Sequence, residues 1–157
     1  MKKLDRRFGN SLKQLENPLC FAIIGLGKLG GRELTYHSDL DLIIVHSGKS
    51  KASQNDRLLI QEYGVKLIQR TIFLLTTITR SGFAYTMDTR LRPSGNAGVL
   101  VTPWEVYYKY HRNSQAWEHQ ALVKGRIIAG ATTQLESDGL IETIGEFSKP
   151  GWFQDVE

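Results

Sequence analysis

Gly25-Leu-Gly-Lys-Leu-Gly-Gly-Arg-Glu-Leu-Thr-Tyr-His-Ser-Asp-Leu-Asp-Leu42 decides how the rest of the chain is read. It joins a glycine-rich turn, a short polar link and two acids one residue apart. The apolar run Phe21-Ala-Ile-Ile24 leads in, and a second run from Leu40 to Val45 carries the acids out. Glycines allow a backbone to approach a phosphate closely and to aim amide groups at it. Asp39 and Asp41, at i and i+2 of a strand, face the same side, roughly 7 Å apart along it. That spacing suits carboxylates that share one metal or bridge two divalent ions about 4 Å apart. The stretch therefore predicts metal-assisted nucleotidyl transfer, with the glycine turn seating a triphosphate.

Two other readings compete for the same residues. Gly25-Leu-Gly27-Lys-Leu-Gly30 matches the dinucleotide-binding GxGxxG pattern and follows a strand, which would suit an oxidoreductase. That unit needs a crossover helix and about 30 residues before its next strand. Here the next strand starts at Leu40, which leaves no room for the helix. Lys28 is not followed by Ser or Thr, so the P-loop pattern fails as well. Ser38-Asp39 is also a common turn pair with no chemistry attached. Asp41 argues against that, because it heads into Leu-Ile-Ile-Val, where an uncompensated charge costs folding energy.

Working outward, the 157 residues suffice for one domain with a core. A formal charge of +4 fits a polyanionic ligand such as ATP. No dense Lys/Arg block accompanies it, so nucleic acid is not indicated. Cys20 stands alone, which excludes an internal disulfide and a multi-cysteine zinc site. The charged start lacks the apolar region of a signal peptide, and no apolar run is long enough to span a bilayer. A cytoplasmic protein with no membrane partner is expected.

Residues 1–18 are polar, with Asn17-Pro18 marking a turn. Phe21–Ile24 and Leu40–His46 read as strands. Gly30-Gly31 is expected to open a helical turn through Arg32-Glu33-Leu34, and residues 47–53 form a polar loop. A helix is predicted from about Asn55 to Thr77. Leu59, Tyr63, Leu67, Thr71 and Leu74 form its apolar stripe, and Ile60 and Ile68 widen it. Gly64 inside costs that helix roughly 1 kcal/mol against alanine. After Ser81-Gly82, residues 83–91 alternate like a strand. Phe83, Tyr85 and Met87 lie on one face, and Ala84, Thr86, Asp88 and Arg90 on the other. Residues 93–98 read as a turn and Val99–Val101 as a short strand. Thr102, Pro103 and Glu105 look like a capping box that opens a helix through Trp104, Tyr107, Tyr108 and His111. A further helix is expected from Gln115 to Ala129, capped by Ser114, with Trp117, Ala121 and Ile128 on one side. Beyond Ala131 the pattern dissolves.

Asp88 is the natural third acid, since an alternating strand can bring it beside Asp39 and Asp41. Three acids facing one point repel one another, and a divalent cation removes that repulsion. Arg90 and Arg92 either neutralise phosphate oxygens or serve as surface charges and ion-pair partners of these acids. His37 and His119 read as structural, because nothing around them makes a triad or a zinc site. Trp104, Tyr107, Tyr108 and Trp117 read as packing residues before base-stacking ones.

Three blocks carry a family resemblance. They are the stretch from Gly25 through Asp39-Leu-Asp41, then Asp88-Thr-Arg-Leu-Arg-Pro-Ser-Gly-Asn-Ala-Gly98, and Ala116-Trp-Glu-His-Gln-Ala-Leu-Val-Lys-Gly-Arg126. Together they resemble the polymerase-β-like nucleotidyltransferases and, more narrowly, the glutamine synthetase adenylyltransferase (glutamate-ammonia-ligase adenylyltransferase) family, from roughly Phe21 to Gly130. The resemblance implies an α+β fold, a mixed β-sheet core flanked by helices. It implies a catalytic domain over residues 1–130 and a divergent tail over 131–157. By the same resemblance Gly30, Gly31 and Ser38 contact nucleotide phosphates. Asp39 and Asp41 bind Mg²⁺, and Asp88 is a further ligand or the base for the incoming hydroxyl. The implied reaction moves AMP from ATP to a tyrosine of glutamine synthetase, a control point of nitrogen assimilation.

Family members usually carry two such domains, one adding AMP and one removing it by phosphorolysis. The Arg-Pro-Ser-Gly and Trp-Glu-His-Gln-Ala wording is more like the C-terminal, AMP-adding domain. Family enzymes are several times longer and respond to the PII signal protein through regions outside this block. A fragment, a split gene product and an inactive remnant are the corresponding expectations for this chain, with deadenylylation as the alternative reaction.

Overall fold

The computed structural model describes Phe8 and residues 20–47, 54–80, 82–113 and 116–130. The expected Asn17-Pro18 turn, most of the 47–53 loop, Ser81, the Ser114 cap and the 131–157 tail lie outside these residues. Within them the chain forms β1 (Cys20–Gly25), α1 (Gly27–Gly30), β2 (Leu40–Ser47), α2 (Gln54–Thr76) and β3 (Met87–Asp88). A 3₁₀ turn at Gly95–Ala97 follows, then β4 (Thr102–Pro103), α3 (Trp104–Arg112), α4 (Ala116–Leu122) and β5 (Arg126–Gly130).

The sheet is mixed, in the order β3-β2-β1-β5. β1 runs antiparallel to β2, from Cys20 opposite Ser47 to Gly25 opposite Leu42, and antiparallel to β5 on its other side. β3 and β4 both pair parallel with β2, at its start and near its end respectively. An antiparallel β1–β2 pair is incompatible with the parallel βαβ unit of a dinucleotide fold. The architecture is the expected α+β, with a mixed sheet and flanking helices.

Side-chain alternation explains the layers. Ala22 and Ile24 of β1 share a face with Ile43 and Val45 of β2, and there they meet Leu26, Trp104, Tyr107 and Leu122. Leu42 and Ile44 point the other way, into a cluster with Ile68 of α2, Val101, Phe21 and Ile23. The sheet therefore lies between α2 on one face and α3 with α4 on the other. Asp39 and Asp41 continue the row of Ile43 and Val45, so they sit at the open end of a buried row.

Several elements differ from expectation. The Gly30-Gly31 pair closes a helical turn instead of opening one. α1 ends at Gly30, and Arg32 adopts the left-handed conformation (φ 60°) that usually falls to glycine after a helix. The buried positions of α2 are Ile60, Gly64 and Ile68, a stripe turned about one residue from Leu59-Tyr63-Leu67, and Leu74 is 62% exposed. A Cβ at Gly64 would lie 2.7 Å from the Phe21 ring, so glycine there admits an aromatic side chain from β1. The 83–91 alternation yields pairing only at Met87–Asp88, because those are the residues opposite Leu40 and Asp41.

Val99–Val101 is not a strand; the pairing falls on Thr102–Pro103. No capping box forms there. Pro103 is the N-cap without a side-chain bond, and the buried Thr102 hydroxyl has no partner among the described residues. The helix predicted over 115–129 stops at Leu122. Gly125 ends the turn by donating to Leu122 O, and the β-branched Ile127-Ile128 continue as β5 beside β1.

Candidate active site

The site is built at the start of β2. The β2–β3 register sets Asp88 directly opposite Asp41 on the adjacent parallel strand, and Asp39 precedes Asp41 by two residues. Neighbours on parallel strands project to the same face. The electrostatics record their proximity. The Asp41 carboxyl titrates above its ordinary range, first through burial, then through the charges of Asp88 and Asp39, with Arg90 opposing.

Each carboxylate has its own surroundings. Asp41 lies over the glycine turn, and a Cβ on Gly27 would come within 2.5 Å of Asp41 Oδ2. Gly27 is also left-handed (φ 50°), so it is glycine for two independent reasons. Leu26 N donates to Asp41 O at 2.9 Å, tying the turn to the strand. Asp39 is exposed and accepts a hydrogen bond from the Thr86 hydroxyl. Asp88 accepts from Arg90: from the backbone N–H at 2.8 Å, from Nε at 2.9 and 3.0 Å, and from Nη2 at 2.5 Å. These bonds hold the Asp88 carboxyl below its usual range.

The other expected site residues serve local structure in this conformation. Gly30 N donates to Leu26 O and Gly31 N to Gly27 O. A Cβ on Gly30 would sit 2.0 Å from Lys124 O, so that glycine permits close backbone contact with the turn before β5. The Ser38 hydroxyl accepts from Thr35 N at 2.9 Å and contacts Thr35 Oγ1 at 2.9 Å, closing the loop that delivers Asp39. Among the described residues Arg92 forms no ion pair with an acid. It donates to Thr89 O, Thr89 Oγ1, Gly98 O and Asn96 O, and so holds the 89–98 turn.

Three residues of the site escaped the sequence reading. Gly27 was legible only as one glycine among several. Thr86 lies two residues before Asp88 on the same alternating face, which is the signal that could have found it. Arg126 donates to Gly30 O at 2.8 Å and Leu29 O at 3.2 Å, closing the C-terminal end of α1 from β5. Nothing in local sequence announces that contact.

Trp104 and Tyr107 are buried in the core, as packing residues. His119 is buried and His37 exposed. A groove of about 460 Å³, lined by His46, Arg57, Leu58, Gln61, Glu105 and Val106 among others, lies at the far end of β2, away from the acids.

Hard carboxylate oxygens converging on one face have the donor chemistry of a Mg²⁺ site. Among the described residues, however, no group of three or more such side chains is already arranged around a single ion position. The charges converge, but Asp88 is turned to Arg90 and Asp39 to Thr86. The residue types suit the cation, and among the described residues no ring of ligands is assembled.

A family model described as glutamate-ammonia ligase adenylyltransferase matches residues 1–139. The chain is 49% identical over 117 residues to a bifunctional glutamine synthetase adenylyltransferase/adenylyl-removing enzyme of Hahella chejuensis (strain KCTC 2396), covering 73% of this chain and 12% of that protein. It is 47% identical over 113 residues to the protein of the same description in Acinetobacter baylyi (strain ATCC 33305 / BD413 / ADP1), covering 70% and 12% respectively. The chain thus spans about an eighth of the length of these curated relatives.

Proposed function

The chain belongs to the glutamate-ammonia ligase adenylyltransferase family, and from that premise we propose that it is a nucleotidyl-transfer unit that moves AMP from ATP to a tyrosine of glutamine synthetase. The observation that carries this reading is the Asp41–Asp88 register beside Gly27, with the Asp39 charge acting on the same carboxylate. Asp39, Asp41 and Asp88 would hold Mg²⁺, which when bound neutralises phosphate charge and polarises the α-phosphate.

The chain's own residues do the positioning. Gly27 gives Asp41 its place, and Thr86 holds Asp39. Ser38 closes the loop between the glycine turn and the acids. The Gly27, Lys28 and Leu29 amides head the single turn of α1, where a helix leaves N–H groups without intrahelical partners, while the Gly30 amide is taken by Leu26 O. They and Arg90 would orient the β- and γ-phosphates so that pyrophosphate departs in line. A tyrosine hydroxyl, whose pKa is near 10, must lose its proton as it attacks. A carboxylate at the head of β2 or β3 is placed to take it. Positioning and electrostatics supply most of the rate in such transfers.

The relatives' names also include adenylyl removal. That gives a second reading on the same scaffold: phosphorolysis of AMP from modified glutamine synthetase. One experiment separates the two. The chain is incubated with Mg²⁺ and either labelled ATP with unmodified glutamine synthetase, or phosphate with the AMP-modified form. Label on the target supports transfer, and ADP release in the second arm supports removal. Neither product from a folded sample overturns both.

A further inference from the structure

At Asp88 the open ring of ligands coincides with a specific contact. Arg90 occupies the third carboxylate with four hydrogen bonds, including both of its oxygens, and its guanidinium charge also bears on Asp39 and Asp41. The pair is built locally. Arg90 follows Asp88 by two residues in the turn that ends β3, so the side chain folds back on its own strand. The Arg90 side chain is 71% exposed and that of Asp88 18%. The carboxylate is thus fixed in the site, while the cation on it has free access to solvent and no other anchor of its own among the described hydrogen bonds.

We propose that Arg90 is an internal counter-ion that stands in for the divalent cation at Asp88 and must release the carboxylate for the metal site to close. Resting on the proposed function, this gives one residue two positions. Without nucleotide it pairs with Asp88 and offsets part of the charge of Asp39 and Asp41 at the head of the sheet. With Mg²⁺ and ATP, the freed Asp88 carboxylate would join Asp39 and Asp41 in holding the cation. The released guanidinium would be free to meet the polyphosphate, for which its planar fork is suited. Arg90 is here a positioning residue for the cation before it contacts substrate. The arrangement favours joint entry of metal and nucleotide, because cation binding alone must break the bidentate pair with no phosphate to receive the arginine.

The test is direct Mn²⁺ binding to the full chain without nucleotide, followed by electron paramagnetic resonance, in the natural protein and in Arg90→Gln, Arg90→Lys and Asp41→Asn. Arg90→Gln should bind Mn²⁺ about fivefold tighter, the order expected when a partly exposed competing ion pair is removed. Arg90→Lys, which keeps the charge and loses the fork, should fall between. ATP should strengthen Mn²⁺ binding more in the natural protein than in Arg90→Gln. Unchanged or weaker Mn²⁺ affinity in Arg90→Gln overturns the counter-ion role. If Asp41→Asn weakens Mn²⁺ binding at the same time, the proposed metal site survives that result. If Asp41→Asn binds as the natural protein does, the metal-site reading itself has failed.

Discussion

Gly27→Ala is the substitution in which the backbone, an acid and the proposed cation site are most tightly joined. At φ 50° an alanine carries the left-handed penalty, about 1–2 kcal/mol. For a chain of this size each kcal/mol moves the melting midpoint by about 2–4 °C, so a loss of about 2–8 °C is expected. The new methyl would also fall 2.5 Å from Asp41 Oδ2. That atom is the end of a side chain and not backbone, so Asp41 can swing away at little further cost in stability. It then leaves its position beside Asp88. Displacing a group that orients a metal ligand typically costs 10–100-fold in metal affinity. Gly95→Ala is the matched control, because Gly95 has φ 52° and its ideal Cβ meets only Arg90 O at 3.5 Å, an ordinary contact. Circular-dichroism melts should show similar losses for the two variants. Mn²⁺ titration should show a loss of about tenfold or more for Gly27→Ala alone. Natural affinity in Gly27→Ala, or an equal loss in Gly95→Ala, would show that Gly27 does not set the position of Asp41 for the cation.

Three further outcomes follow from the packing. Gly64→Ala gains about 1 kcal/mol of helix propensity but drives a methyl to 2.7 Å from the Phe21 ring, an overpacking cost of about 1–3 kcal/mol. Urea unfolding should show a net loss of up to about 2 kcal/mol, relieved in a Phe21→Leu background. Arg126→Met removes the donors to Gly30 O and Leu29 O and should cost about 2 kcal/mol. Amide exchange should rise first in α1. Burial lowers the His111 pKa from 6.5 to about 4, with Glu118 opposing and His119 adding to the shift. Between those values the unfolded chain takes up a proton that the folded chain refuses. Stability from this group is therefore whole above pH 6.5 and falls as pH drops towards 4. Urea titrations from pH 7 to 4.5 should lose about 2 kcal/mol to it, and His111→Gln should flatten that part of the slope.

The parts of the fold that could be read in advance are those whose signal is local and dense. The β1–β2 pair was visible as two apolar runs too close for a crossover helix, and α2 as a long 3.6-residue periodicity. The exact face of α2 was not, because Gly64 contributes nothing to an apolar stripe and yet marks its closest approach to the sheet. The helix expected over 115–129 failed where one periodicity was carried through Gly125. Whether Ile127 and Ile128 end a helix or edge a sheet depends on β1, a hundred residues earlier, being free to receive them. Pairing at β3 was limited in the same way, since only Met87 and Asp88 have a strand opposite. The three acids were legible from residue type and alternation. The contacts that govern their orientation, from Thr86 and Arg90 and through Gly27, are tertiary facts. Asp88 could be named as a third carboxylate from sequence, but its engagement by its own neighbour two residues on could not.

The most direct measurement is the anomalous diffraction of Mn²⁺ in crystals of the chain grown with a non-hydrolysable ATP analogue. The manganese peak should lie between the carboxylates of Asp39, Asp41 and Asp88, with Arg90 turned from Asp88 towards the phosphates. A peak elsewhere, or bound nucleotide with Asp88 still held by Arg90 and no metal beside Asp41, would contradict it.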